Sequence, residues 1–363
     1  MAGHYESGRR RDCRRVREDV EPAILRRIES IDIPACIDVF YDSVDPLYQR
    51  LDQPIPPRDP ASLARLIGHL LDHDAERAWL AESPSSTGNP DPPHILGFAS
   101  AWLRETTWYL ALLFIRPEAQ AAGLGRRLLL RTFPRIPLSE GEPRTAVRIS
   151  GAEGGPDGPA QGGLPDGVSA RALMATCVDS IQPISTGLYA SYGIVPRVPV
   201  FTAIGNPRGG ALPDLPRDVV ATGFEALPET VLLADTLAAV DRELLGFARP
   251  ADHHLWTHEG RRGVLIRRAG DGAVLGYGYV QASGRLGPVA LLDDTLYPAV
   301  LGSLVTRTSP PGPYFALVPG VNHRAMVALL HAGLRFEGFP GILSSTRPWT
   351  GLDRYLPASF ALP

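Results

Sequence analysis

Between Phe114 and Arg127 the chain reads Phe-Ile-Arg-Pro-Glu-Ala-Gln-Ala-Ala-Gly-Leu-Gly-Arg-Arg, so an apolar run stops and a helical pattern starts across small residues and two glycines. The chemistry this arrangement can do is anion binding. A helix N-terminus presents free N–H groups and partial positive charge, and Gly123 and Gly125 let a phosphate approach the main chain with no Cβ in the way. Arg126 and Arg127 fall in the first helical turn, where a cation opposes the helix dipole unless an anion is bound. The run matches neither G-x-x-x-x-G-K-[ST] nor a G-x-G-x-x-G with a ribose-binding acid, which argues against nucleotide hydrolysis and nicotinamide-dependent hydride transfer.

Other chemistry-bearing groups are sparser. Asp38, Asp42 and Asp45 recur at helical spacing, which puts three carboxylates on one face; such a face is more often simply solvated, and it would also suit a cationic amine. His253, His254 and His258, and separately His69, Asp72 and His73, are candidate metal clusters, but no further ligands accompany them and they read as surface histidines, with no metal expected. Cys13, Cys36 and Cys177 are far apart and form neither a disulfide framework nor a zinc motif, which points to a reducing, cytoplasmic setting. A formal charge of −3 gives no footprint for nucleic acid, and no apolar run of about 18 residues is available for a membrane. Every basic side chain other than histidine is arginine.

The elements that must position these groups repeat. At 363 residues the chain suits two domains. In the first, the sequence predicts a strand within Arg9–Arg17, helical stretches over 21–43 and 60–74, strands over 77–81, 94–102 and 107–115, and a helix over 123–133. A Gly- and Pro-rich mobile insertion is expected over 139–169, then a strand over 172–178, a helix over 185–192 and a hairpin through 195–204. Residues 206–216, NPRGGALPDLP, read as a linker between a domain spanning 1–205 and one spanning 217–363. The second domain starts again in a similar order and closes on a hairpin near 334–345, so a divergent duplication is expected. Its last stretch, Trp349–Pro363, carries only Asp353 and Arg354 as charges and must dock, either on the first domain or in its own core.

The cradle resembles the [QR]-x-x-G-x-[GA] signature of the GNAT acetyltransferase superfamily, here Gln120-Ala-Ala-Gly123-Leu-Gly125. A second element, Gln182-Pro-Ile-Ser185-Thr-Gly-Leu188-Tyr189-Ala-Ser-Tyr192-Gly193-Ile194, is similar to that family's N-x-x-A-x-x-L-Y-x-x-x-G-F, with Gln182 and Ser185 replacing Asn and Ala. The resemblance covers about residues 11–204 without the insertion. The second half carries only the second element, as Asn322-His-Arg-Ala325-Met-Val-Ala-Leu329, with Leu329 in the tyrosine position. The resemblance therefore implies an α/β (α+β) chain of two tandem GNAT-like domains, each a mixed, mostly antiparallel sheet flanked by helices, the second degenerate.

It also implies a function: acetyl transfer from acetyl-CoA to the amine of a small molecule. Leu113, Phe114 and Ile115 would pair with the pantetheine arm as an added strand, and Gln120, Ala121, Ala122, Gly123, Leu124, Gly125, Arg126 and Arg127, with Gln182, would hold the cofactor. Tyr189 matches the general acid, with Tyr192 a competitor; Glu105 and Asp179 are both open as the base. Asp38 and Asp42 lie where the acceptor site is walled. The expected assembly is a monomer or homodimer, and the alternative function is a non-catalytic acyl-CoA sensor.

Overall fold

The computed structural model describes residues 23–84, 94–134, 172–228 and 231–363; the strand expected within Arg9–Arg17 and the insertion at 139–169 lie outside them. The first half comprises β1 (Ile24–Arg27), α1 (Ile33–Arg50), α2 (Pro60–Asp74), β2 (Ala78–Glu82), β3 (Ile95–Arg104), β4 (Thr107–Ile115), α3 (Leu124–Thr132), β5 (Leu173–Asp179), α4 (Pro183–Ala190) and β6 (Val195–Gly205). The second half repeats that order: β7 (Val219–Gly223), α5 (Leu233–Leu245), α6 (Pro250–His258), β8 (Arg262–Arg268), β9 (Val274–Val280), β10 (Arg285–Leu291), α7 (Tyr297–Val305), β11 (Tyr314–Pro319), α8 (His323–Ala332) and β12 (Arg335–Ser345). A short β13 (Tyr355–Leu356) follows.

Local chemistry fixes the helix starts. Pro34 sits in the first turn of α1, where its missing N–H costs nothing, and Asp59 caps α2 by accepting from Ser62 N–H at 2.9 Å, with Pro60 next. The helix expected from residue 21 begins only at Ile33. Ile24–Arg27 instead pairs antiparallel with Glu82–Trp79, and Arg26 bridges Glu82 and Asp32.

The described strands form one 13-stranded sheet in the order β1-β2-β3-β4-β5-β12-β6-β11-β10-β9-β8-β7, with β13 joined to β10. Where hairpins are expected at 195–204 and 334–345 there are single 11-residue strands, and these change places. Strand β12 enters the first half between β5 and β6, and β6 enters the second half between β11 and β12. Residues 206–216 are held rather than free: Arg208 donates from its amide to Ala332 and from its guanidinium to His331, and Leu212 packs at Gly302.

One core runs through both halves. Cys36, Val39, Ile67, Leu70, Trp102 and Tyr109 share it with Leu244, Phe247, Trp256, Tyr277, Tyr355 and Leu362, so α1, α2, α5 and α6 cover one face of the sheet together. The opposite face is covered separately, by α3 and α4 over Trp108, Leu110 and Met174, and by α7 and α8 over Val289 and Val318.

Two buried polar groups cross this shared core. His69 and Asp252 share a 2.8 Å hydrogen bond, and Arg104 reaches both Asp252 at 3.1 Å and Asp74 at 2.7 Å. Burial alone pushes the Asp252 carboxyl up, but the His69 hydrogen bond and the Arg104 charge outweigh it and hold it at about 2. Around Asp241, Arg249 bonds at 3.2 Å, His253 at 2.8 Å and Tyr277 at 2.5 Å, and His253 also meets Tyr279. His69 and His253 are therefore not surface histidines, because each has a buried carboxylate partner. Among the described residues no group of three or more His, Cys, Asp or Glu is placed to hold a metal, and no helix is long and apolar enough to cross a membrane.

Candidate active site at the β4–β5 wedge

Strand β4 pairs antiparallel with β3 along its whole length but parallel with β5 only over Thr107–Leu110 against Leu173–Thr176. Thr176 Oγ1 closes the paired part by donating to the Leu110 carbonyl at 2.9 Å, and beyond it the strands part. At that point β4 carries one extra residue, since Ser100 faces Leu112 while Ala101 faces Leu110. The bulge at Ala111 reverses the alternation: Tyr109 and Leu112 both join the shared core, while Leu110 and Leu113 face α3 and α4. Leu113, Phe114 and Ile115 thus lie along the open side of the wedge, with the Ile115 carbonyl taken by Ser43 Oγ and Gln120 Nε2, each at 2.9 Å.

The cradle follows directly. Ala121 adopts φ 65°, Gly123 φ 75°, and α3 begins with no side-chain cap. The first bond inside α3 is Arg127 N–H to the Gly123 carbonyl at 3.1 Å, which leaves the amides of Leu124, Gly125 and Arg126 without an intrahelical acceptor. No acid stands among residues 120–127. Ala121, Ala122 and Gly123, which lead into these amides, are exposed. This set fits a pyrophosphate. Arg127 rests on the Ala23 carbonyl, and Arg126 donates to the Tyr192 hydroxyl at 2.9 Å.

That last bond separates the two tyrosines. Both lie in the cluster with Trp108, Leu110 and Met174, but it is Tyr192 that is tied to the cradle through Arg126 and packs on Phe133. Burial pushes the Tyr189 phenol well above its ordinary value, and a hydrogen bond from Ser185 only partly opposes this, so its proton is in place at neutral pH. Ser185, a departure from the motif, is thereby given a use. Gln182 stands at the N-cap of α4 without a side-chain cap bond.

Of the two candidate bases, Asp179 is at the wedge and Glu105 is not. Asp179 is the last residue of β5, on the same face as Cys177, and burial raises its carboxyl. Its charge reaches Tyr48 of α1 and raises that phenol after burial has done so. Glu105 occupies the β3–β4 turn, about 17 Å of strand from Leu110, and is held by Arg242 at 2.8 Å and the Ala248 amide at 3.3 Å. Asp42 pairs with Arg116 and Asp45 with Arg58, while Asp38 is exposed.

The second half has the same wedge, closed. Strand β10 pairs with β11 only at Arg285–Leu286 and has its own extra residue between Leu286 and Val289. Into the gap goes β13, antiparallel to β10, with Val289 facing Leu356 and Ala290 facing Tyr355. Asn322 caps α8 by accepting from Ala325 N–H at 3.0 Å and donates Nδ2 to the Tyr355 carbonyl at 3.2 Å. At the turn before α7, where the first half has open amides, Asp293 accepts from both the amide and the hydroxyl of Thr295, with Asp294 beside it. The chain occupies with its own backbone the lane where an added strand would lie. Sequence reasoning missed β13, a two-residue strand with no period to read.

Solved structures share this architecture along the whole chain. A putative acetyltransferase from Pyrococcus horikoshii superposes with a TM-score of 0.63 at 13% identity, covering 98% of this chain and 100% of that one. A GCN5-related N-acetyltransferase from Sphaerobacter thermophilus gives 0.54 at 14% identity, over 92% and 98%. A tandem GNAT protein from the clavulanic acid biosynthesis pathway gives 0.50 at 12% identity, over 90% and 99%. The fold is the GNAT fold in tandem. No family model and no curated protein sequence matches the chain.

Proposed function

We propose that the first half of this tandem GNAT fold transfers an acetyl group from acetyl-CoA to the primary amine of a small molecule. The observation that carries the reading is the parting of β4 from β5 after Leu110, followed at the end of β4 by the uncapped N-terminus of α3, with the buried Tyr189 on the helix that follows β5. The cradle amides of Leu124, Gly125 and Arg126 suit the pyrophosphate, and the edge of Leu113–Phe114 that faces away from β3 suits the pantetheine amides as an added strand. Acetyl-CoA supplies an activated acyl group. An amide freed by the Ala111 bulge is the donor to its carbonyl oxygen. Asp179, raised by burial, accepts the proton that the attacking ammonium must lose, and Tyr189 delivers one to the departing thiolate.

A second reading is favoured by one observation: residues 359–362 pack on the face of the sheet from which an amine must come. On that reading the wedge binds acyl-CoA as a sensor without turnover. Following free thiol with acetyl-CoA and a panel of amines separates them. Transfer predicts amine-dependent thiol release at steady state; binding by calorimetry with no release from any amine overturns it.

A further inference from the structure

Resting on the transfer reading above, we propose that Phe360 selects the acceptor, acting as a steric stop that admits slender unbranched amines and turns away aryl and branched ones. Because α3 and α4 cover one face at the wedge, an acceptor can reach its closed end only from the other, where α1 and the segment after β13 lie. That segment is pinned carbonyl by carbonyl. Asn322 Nδ2 donates to Tyr355, Arg285 Nη1 to Ala358 at 2.8 Å, Tyr109 OH to Phe360 at 2.5 Å, Trp102 Nε1 to Ala361 at 3.0 Å and Arg249 Nη1 to Pro363 at 2.5 Å. Donors from both halves therefore fix where the Phe360 side chain stands.

The ring sits at the wedge. A Cβ built on Gly341 would lie 2.7 Å from Phe360 Cε1 and 2.8 Å from Cys177 Sγ, so the absence of a side chain at Gly341 makes room for the phenyl. Cys177 is the first residue of β5 past the pairing with β4, and Gly341 faces Asp179 across β12 and β5. Beyond the ring, the space among Tyr109, Cys177, Val200, Pro319 and Leu343 is about 10 Å³, barely one water. On the α1 side stand the Phe40–Phe114 pair, whose rings are 4.6 Å apart, and Tyr48, which feels the Asp179 charge. An approach past aromatic rings toward a carboxylate suits an alkyl chain carrying one ammonium.

The test measures acetyl-CoA-dependent thiol release with hexylamine and 1,4-diaminobutane against benzylamine and 2-phenylethylamine, for wild type, Phe360→Ala and Phe360→Leu. Wild type should favour the linear amines. In Phe360→Ala, kcat/KM for the aryl amines should rise about 10-fold or more while that for linear amines moves less than about 3-fold and the KM for acetyl-CoA holds, with the leucine variant between. The leucine variant keeps the test valid should alanine unfold the segment. An unchanged linear-to-aryl ratio in both variants overturns the stop while leaving transfer intact, provided wild type releases thiol with linear amines. Acetyl-CoA binding without thiol release from any amine, in wild type and both variants, overturns transfer and the stop together.

Discussion

The two wedges of this sheet have the same frame and opposite contents. In each, a bulged central strand parts from its parallel neighbour at the start of a helix, and in each a polar residue stands at the N-cap of the next helix. In the first the helix start is uncapped and, among the described residues, no strand joins β4 past Leu110 on the β5 side; in the second Asp293 caps the turn and β13 fills the lane. The difference teaches that a parted wedge need not remain a hole. An unpaired strand edge and a buried amide acceptor still need partners, and the second half meets that need with Tyr355 and Leu356.

The largest effect that sharpens this contrast is at the acid. Tyr189→Phe should lower turnover about 100- to 10,000-fold with acetyl-CoA affinity unchanged, whereas Leu329, its counterpart in the filled wedge, has no hydroxyl to lose. Full activity in the phenylalanine variant would move attention to Tyr192. Next is the cradle. A Cβ at Gly125 would meet Ile115 and Leu188 only at ordinary contact distances of 3.8 and 3.9 Å, so Gly125→Val should keep the wild-type thermal midpoint. It should still weaken CoA binding about 10-fold or more, since each charge-assisted bond to the phosphates is worth about 1.5–3 kcal/mol. Calorimetry should give one CoA per chain in wild type and none detectable in the variant; two equivalent sites would break the contrast. The smallest effect concerns the paired N-caps. Asn322→Ala should cost about 1–2 kcal/mol in denaturant unfolding, from the lost cap and the orphaned Tyr355 carbonyl, with CoA affinity intact. Gln182→Ala, which removes no cap bond, should do the reverse.

What was legible in the sequence was local. Thr107–Ile115 and Pro60–Asp74 have the predicted bounds because an unbroken apolar run and a capped amphipathic helix are both written in neighbouring residues. Helix α6 escaped notice because its buried side is made of Asp252, His253 and Trp256, polar residues that break the apolar stripe and are paid for only by partners far along the chain. The strands at 195–205 and 335–345 read as hairpins because Pro196 and Pro199 in one, and Gly338 and Pro340 in the other, look like turns. Their pairing is non-local, and no period records it. In the site, the cradle followed from glycines in sequence, while the role of Phe360 depends on a contact across 183 residues, from Cys177.

The exchange of β6 and β12 also sets a timetable. During synthesis the inner edge of β5 has no partner until residues 341–345 have been made, roughly 140 residues after β6 itself is complete. At about 5–20 residues per second that is a wait on the order of 10–30 s. Through that interval β5 and β6 expose unpaired amides and carbonyls, the condition under which a nascent chain recruits a chaperone or joins a second copy of itself. The first half is made first and finished last.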